Sequence, residues 1–138
     1  MQGIRPLIVL LTLIGLIISA CEKSPMTPVE TFNVRAAIDI STLDMNNRPL
    51  SVPVTIKIIN NYSLDNSDAI PEIITQNTND HGRLSFLHDF TFQSGEQAEI
   101  IVDVETNDYH SIQYWTAYLT ANDAPGKQFV LQMDVAEK

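Results

Sequence analysis

The sequence predicts an all-β protein, a single seven-stranded antiparallel β-sandwich that follows an N-terminal signal helix. From residue 32 onward, apolar and polar residues alternate with a period of two, which is the period of a half-buried strand. No part of this region has an apolar stripe of helical spacing longer than two turns. The alternating runs recur at roughly 12 to 18 residues, a spacing typical of two-sheet sandwiches. With 138 residues, the chain can bury one core but not two.

The clearest strand is predicted at residues 83–92, where every even-numbered residue is apolar or histidine and the odd-numbered residues are mostly polar. Pro53 has no amide hydrogen for a ladder, so the strand around it is predicted to lie at a sheet edge, or position 53 to face away from the ladder. The other six strands are predicted at residues 34–40, 52–58, 70–77, 99–105, 112–120 and 129–135.

Three segments resemble parts of a known module: the first strand at residues 34–40, the connector NRPLSV at 47–52, and the turn TNDHGRLSF at 78–86. Residues 32–86 thereby resemble the first half of carboxypeptidase regulatory-like (transthyretin-like) β-sandwich domains, which are accessory domains of secreted and outer-membrane proteins. The resemblance implies that Asp80 caps the turn and Gly82 takes a left-handed conformation, while Asn47 stands where the modules usually have glycine. An immunoglobulin-like or fibronectin-III-like topology also fits the strand pattern.

The N-terminus resembles a bacterial lipoprotein signal. A twelve-residue apolar run at 7–18 follows Arg5, and it is shorter than the roughly 20 residues that a transmembrane helix needs. The next residues, ISAC at 18–21, closely resemble a lipobox. The resemblance implies that residues 1–20 are a signal peptide and that the thiol of Cys21 accepts diacylglycerol.

The remaining chain divides into a tether and a domain. Residues 21–31 are predicted to be the acylated cysteine and an extended tether with prolines at 25 and 28, and residues 32–138 the β-sandwich. Residue 22 is Glu rather than the Asp that resembles an inner-membrane retention signal. We therefore expect a lipid-anchored protein of the bacterial cell envelope, in the outer membrane.

Composition argues against several function classes. The formal charge of −9 and the scattered Lys and Arg residues argue against nucleic-acid binding. Cys21 is the sole cysteine, which excludes an intramolecular disulfide. No serine lies in a GxSxG or SxxK context. The sequence therefore predicts a protein that is not an enzyme and needs no cofactor.

The histidines and acidic loops are candidate metal ligands. His81, His88 and His110 lack the spacing of a histidine metal site. Acidic loops supply the oxygen ligands that Ca²⁺ prefers, but Asx residues are also what β-turns need. The turn explanation is favoured and no metal site is predicted, with four aspartates as the weak calcium candidates: Asp65, Asp68, Asp80 and Asp108.

Aromatic residues cluster near the C-terminus of the domain. Strand parity puts Tyr114 and Tyr118 on one face and Trp115 on the other. An exposed Tyr or Trp platform could stack on sugar rings or anchor a protein contact, so these three residues are the candidate ligand-binding set. The favoured alternative is that Trp115 is buried between the two sheets.

The function these features predict is a lipid-anchored, non-enzymatic interaction or structural module that contacts the membrane through Cys21 and has an envelope protein or a glycan as its partner. One alternative is a carbohydrate-binding surface lipoprotein that uses residues 109–118. The other is an accessory subunit of an envelope complex.

Overall fold

The computed structural model describes residues 27–60 and 70–138, so the predicted signal helix lies outside the described residues. The described part contains no α-helix, and residues Ala121–Asp123 form a short 3₁₀ turn. Two four-stranded sheets pack face to face, sheet A in the order β4-β1-β8-β6 and sheet B in the order β3-β2-β5-β7. The prediction of an all-β sandwich is confirmed. The strands are β1 (Thr31–Asp44), β2 (Pro53–Asn60), β3 (Glu72–Asn77), β4 (Arg83–Gln93), β5 (Gln97–Asp103), β6 (Tyr109–Ser111), β7 (Trp115–Thr120) and β8 (Gly126–Glu137).

Two details of the predicted sandwich are corrected. The described residues form eight strands rather than seven, because the three-residue strand β6 lies between the strands predicted at residues 99–105 and 112–120. A strand this short shows no detectable alternation. The sheets are also not wholly antiparallel, because β1 and β8 run in the same direction and pair from Arg35 with Gly126 to Asp44 with Val135. Alternation of residues reports which face a side chain occupies and contains no information about strand direction.

The core lies between the two sheets and follows the predicted parity. Alternate residues of β1, β2, β4, β5 and β8 point inward. Most of them are at most 6% exposed, and Leu84, His88 and Phe129 are partly buried. Burial of this apolar surface is the main term that holds the two sheets together. The largest fully buried side chains are Phe92, Ile38, Ile56, Ile58, Ile100, Leu119, Met133, Val34, Val52, Val54, Val102 and Val104.

Pro53 does not mark a sheet edge. It is the first residue of β2, which lies between β3 and β5 in the interior of sheet B. Pro53 pairs with Asn77 of β3, whereas the pairing with β5 begins only at Thr55. The first position of a strand tolerates proline because the ladder does not yet need its amide hydrogen. The prediction that Pro53 marks an edge strand is therefore wrong. The structure agrees with the other interpretation, in which position 53 faces away from the ladder.

The sandwich has two ends that are used as reference points below. The entry end is where β1 begins at Thr31, and it also holds residues 94–96 and 121–125. The far end holds the β1–β2 connector at 45–52, the β3–β4 turn at 78–82 and the β5–β6 turn at 104–108. A strand of 14 residues, the length of β1, separates the two ends by about 45 Å.

Candidate functional site

Three of the predicted site residues, Cys21, Asp65 and Asp68, lie outside the described residues. The other two calcium candidates, Asp80 and Asp108, are exposed and lie in different turns of the far end. Within residues 27–60 and 70–138, no three His, Cys, Asp or Glu side chains are grouped so that they could hold a metal ion.

The connector and the turn that resemble the accessory modules meet at the far end of the sandwich. The buried Thr78 hydroxyl lies 3.0 Å from the amide nitrogen of Val52, which donates to it, and 3.2 Å from the hydroxyl of Thr42. Thr42 Oγ1 donates to the carbonyl of Leu50 at 2.6 Å. Buried hydroxyls of this kind are stabilising only when they are hydrogen-bonded. These hydrogen bonds join β1, the connector and the β3–β4 turn at the far end.

The cap of the β3–β4 turn differs from the expectation. Asn79 Oδ1, rather than the Asp80 carboxylate, accepts from the amides of His81 and Arg83, each at 2.9 Å. Gly82 has a φ of 65°, the left-handed conformation that the resemblance implied. Asn79 takes the capping role because its side chain accepts from amides two and four residues further along.

An open cleft of about 410 Å³ lies at the far end beside the connector. Asp44 closes the connector turn by accepting from the amides of Asn46 and Arg48 at 2.8 and 2.9 Å, and Asn47 takes a φ of 60°. The bond from the Arg48 amide is the main cause that holds the pKa of Asp44 below its ordinary value. The exposed Met45 side chain adds an apolar surface at the rim. The cleft lining consists of Asp44, Met45, Asn46, Arg48, Leu50, Tyr109, Val135 and Glu137.

The aromatic cluster is divided between the two faces of sheet B. Tyr118 is 46% exposed on the outer face, and its hydroxyl donates to Glu99 Oε1 at 3.1 Å. Thr116 Oγ1 donates to the same carboxylate oxygen at 3.2 Å. Tyr114 lies just before β7 and is 61% exposed. The outer face of sheet B thus has an exposed tyrosine ring beside a carboxylate, a pair that can stack on and hydrogen-bond a polar ring compound.

Trp115 does not belong to that surface. Its side chain points between the sheets and packs edge-on against Phe129 of β8, with 5.2 Å between the ring centroids. This is the placement that the alternative interpretation favoured. The structure therefore brings Tyr118 together with Glu99 rather than with Trp115. Glu99 could not be recognised from the sequence, because only the pairing of β5 with β7 places it opposite Tyr118.

The histidines lie apart from one another. His88 faces inward from β4 between the rings of Phe86 and Phe90, and its Nε2 lies 4.0 Å from the Glu72 carboxylate of β3. His81 is exposed in the β3–β4 turn. His110 of β6 has a buried Nδ1 with no hydrogen-bond partner among the described residues. None of these arrangements couples a histidine to a serine or to a second histidine.

No protein-family model matches this sequence, and a search of curated proteins gives no match. Among solved structures, 3-chlorocatechol 1,2-dioxygenase from Rhodococcus opacus 1CP is similar with a TM-score of 0.46 and 12% identity. The match covers 83% of this chain but only 64% of the dioxygenase chain.

Two further solved structures are β-rich domains of a pilin and a pilotin. A mutant of the shaft pilin spaA from Lactobacillus rhamnosus GG has a TM-score of 0.41 and 18% identity, over 79% of this chain and 49% of the pilin chain. An alternative pilotin from the type II secretion system of Vibrio cholerae has a TM-score of 0.39 and 10% identity, over 79% of this chain and 98% of the pilotin. At these scores the likenesses assign neither a family nor an activity.

One prediction about function is corrected by this comparison. The sequence predicted that the chain is not an enzyme, because it lacks recognisable catalytic motifs. An enzyme, the dioxygenase, is among its structural neighbours, so the exclusion of enzymatic activity from motifs alone is wrong and is withdrawn. Motifs report known chemistries on known folds, and a fold by itself neither supplies nor excludes an activity.

Within the described part of the chain, no helix has both the length and the apolar composition to cross a membrane.

Proposed function

We propose that this chain is a lipid-anchored protein of the bacterial cell envelope whose β-sandwich serves as an interaction module close to the membrane. The observation that carries this proposal is the sole cysteine, Cys21, at the end of a twelve-residue apolar run and in the lipobox-like sequence ISAC. Acyl chains on one residue provide stable anchoring because each buried methylene group contributes about 0.8 kcal/mol.

The position of the tether supports an interaction role. The segment from Cys21 to the start of β1 at Thr31 is ten residues long and reaches about 33 Å when extended. The domain would therefore stay within that distance of the bilayer. Because β1 begins at the entry end, the tether joins the domain about 45 Å from the far-end cleft. Anchoring through Cys21 leaves the cleft accessible to a partner.

The far-end cleft has the mixed chemistry of a protein-binding surface. Apolar side chains of Leu50, Tyr109 and Val135 line it, and Met45 at its rim is a flexible apolar contact. The guanidinium of Arg48 is largely exposed and pairs with Asp44 at 2.8 Å. Arginine beside apolar side chains is a composition enriched in interfaces. We infer that an envelope protein is the partner and that it binds at this end.

Cellular fractionation tests the anchoring. Wild-type protein is expected in the membrane fraction of its host and labelled by a fatty-acid analogue, whereas Cys21→Ala is expected to lose the label. A matched control combines Cys21→Ala with Ser24→Cys, which restores a thiol three residues beyond the lipobox and should not restore labelling. A Cys21→Ala variant that is still labelled would contradict the proposal, as would wild-type protein without label. Separation of inner and outer membranes then tests the proposed outer-membrane location.

A second candidate function, glycan binding, is favoured by one specific observation. Tyr118 exposes its ring on the outer face of sheet B while its hydroxyl bonds to Glu99. Binding of the full chain to immobilised glycans is expected to fall at least about tenfold in Tyr118→Ala, the loss of about 1.4 kcal/mol. Leu87→Ala on the outer face of sheet A is the matched control and should bind normally. Equal binding by both variants, or none by the wild type, would contradict this candidate.

A further inference from the structure

Strand β4 is an open edge of sheet A. It has 11 residues and pairs along its whole length with β1, from Thr31 with Gln93 to Ser41 with Arg83, without a bulge. Among the described residues, no strand pairs with its other side. The backbone groups on that side are available to a further strand.

The hydrogen bonds around β4 show which of its residues face the open edge. Thr42 donates its amide hydrogen to the carbonyl of Gly82, so even-numbered residues of β1 and β4 bond to each other. The Arg35 amide donates instead to Pro125, towards β8. Because amide directions alternate along a strand, the odd-numbered residues of β4 point their amide and carbonyl groups away from β1.

The two ends of this edge are closed by the chain itself. The amide of Arg83 donates to Asn79 Oδ1, and its carbonyl accepts from the Asn79 amide. The amide of Gln93 donates to Glu96 Oε2, and its carbonyl accepts from the Glu96 amide. Between these caps, four residues direct their backbone amide and carbonyl groups towards the open edge, and we call these positions open rungs. They are Ser85, Leu87, Asp89 and Thr91. The open segment is therefore symmetric about His88.

The edge strands β3, β6 and β7 carry features that discourage pairing, and β4 does not. The stretch of β8 that β6 leaves uncovered follows Pro125 and contains Lys127. Strand β3 has six residues and is preceded by Pro71, while β6 has three residues. Strand β7 has six residues and runs into the 3₁₀ turn. In β4 there is no proline, no lysine and no bulge, and the inward side chains are apolar apart from His88. Long, regular edges without such features pair readily with other strands.

Polar side chains along this edge already have partners within sheet A. Asp89 forms an ion pair with Arg35 at 2.7 Å, and Ser85 donates to Asp39 at 2.7 Å. Leu87, in contrast, is 65% exposed. Among the four residues Ser85, Leu87, Asp89 and Thr91, the one charged side chain, Asp89, is ion-paired, and a strand that approaches this edge covers the exposed Leu87.

We propose that β4 pairs with β4 of a second copy of this chain, antiparallel, with His88 opposite His88 of the second copy. In this register Ser85 lies opposite Thr91 and Leu87 opposite Asp89, so the four open rungs of each copy are all used, with eight backbone hydrogen bonds. The capped residues Arg83 and Gln93 are left undisturbed. The occupant is a second copy because the symmetric footprint is self-complementary, which a two-fold interface requires.

This pairing goes beyond the proposed anchoring and does not depend on it. The two-fold axis is perpendicular to the paired sheets, so the two tethers leave from opposite ends of the dimer. Each tether reaches about 33 Å, so both can meet one bilayer when the strands lie along its surface.

Disulfide trapping in the full chain tests the register. The background is Cys21→Ala, so that an introduced cysteine is the sole thiol whether or not Cys21 is acylated. His88→Cys is expected to give a disulfide-linked dimer under mild oxidation, because facing residues of a non-hydrogen-bonded antiparallel pair have Cα atoms about 4.5 Å apart, within disulfide range. Ser85→Cys is the matched control. Position 85 of one copy faces Thr91 of the second copy and not position 85, so this variant should yield at least about tenfold less disulfide-linked dimer.

A second pair of variants separates edge pairing from random collision. Leu87→Pro removes an open amide donor that β1 does not use, and it should abolish the His88→Cys cross-link. Leu87→Ala should keep it. Equal cross-linking of His88→Cys and Ser85→Cys would overturn the proposal, as would retention of the cross-link in Leu87→Pro. If His88→Cys does not fold, sedimentation of the full chain in detergent decides, and a monomeric protein mass for the wild type overturns the proposal. If a different protein occupied this edge, the purified wild type would likewise be monomeric, and that result too would overturn the proposal.

Discussion

The hydroxyl groups of Thr42 and Thr78 lie 3.2 Å apart inside the far end of the sandwich. They are the buried polar side chains of the described residues, exposed by 0% and 3%. Together they tie β1 to the connector and to the turn that precedes β4, because Thr78 also accepts from the Val52 amide at 3.0 Å. These hydrogen bonds join β1, the connector and the β3–β4 turn.

Replacement of Thr78 by valine should lower the free energy of unfolding by about 1–3 kcal/mol, because the shape is kept while a buried amide and a buried hydroxyl lose their partner. Urea denaturation measures the change. Thr75→Val on the exposed side of β3 is the matched control and should stay within about 0.5 kcal/mol of the wild type. Equal losses in the two variants would show that the buried contact is not the cause.

Position 82 requires glycine because its φ is positive and because a Cβ there would clash with the backbone of β1. Gly95→Ala measures the effect of positive φ without the clash. Both residues have positive φ, 65° at Gly82 and 86° at Gly95. A Cβ at position 82 would lie 2.4 Å from the carbonyl oxygen of Thr42, whereas at position 95 nothing lies within 4 Å. Gly95→Ala should lose about 1–2 kcal/mol from backbone strain alone. Gly82→Ala should lose clearly more in the same thermal or urea unfolding assay, and an equal loss would contradict the predicted clash.

Acid should weaken the connector turn. Hydrogen bonds from Arg48, its amide first, hold the pKa of folded Asp44 below the ordinary value of 3.8. A carboxylate with a lowered folded pKa contributes stability above the unfolded pKa and loses it as pH falls through the folded pKa. Asp44→Asn should therefore be less stable than the wild type at about pH 7, and the difference should shrink below pH 3.8. Urea midpoints at about pH 7 and pH 3 test this, with Asp80→Asn in the exposed turn as the control. A difference that is independent of pH would contradict the assignment.

The packing of Trp115 against Phe129 predicts a shielded fluorophore. The wild type should emit at a wavelength typical of a partly buried indole and resist acrylamide quenching. Phe129→Ala should shift the emission to the red and increase quenching, because it opens the contact that covers the ring. Tyr114→Ala alters a side chain that is adjacent in sequence but exposed, so its spectrum should match the wild type. Strong quenching in the wild type would place Trp115 on the surface instead.

Local sequence signals predicted most of the core of this domain. Alternation placed Ile38, Ile56 and Phe90 on the inner faces and put Tyr118 and Trp115 on opposite faces, because side-chain direction in a strand depends only on residue parity. It missed β6, since three residues from Tyr109 to Ser111 contain less than two periods of the pattern. The turn at residues 78–82 was recognised from its residue types, but its cap was assigned to Asp80 rather than to Asn79. Two neighbouring Asx residues can each cap a turn, and only the backbone geometry selects one.

The candidate sites depended on contacts between residues far apart in sequence. Glu99 is a candidate site residue only because it accepts a hydrogen bond from Tyr118. The far-end cleft is lined by the connector together with Tyr109 and Val135. The sequence by itself determined the all-β class, the inward residues and the position of Cys21 after an apolar run, because these follow from local periodicity and motif. Tertiary structure decided that β1 pairs in parallel with β8, that Trp115 lies between the sheets and that β4 is an open edge. Strand partners are chosen by the global packing of two sheets around one core, and no local pattern encodes that choice.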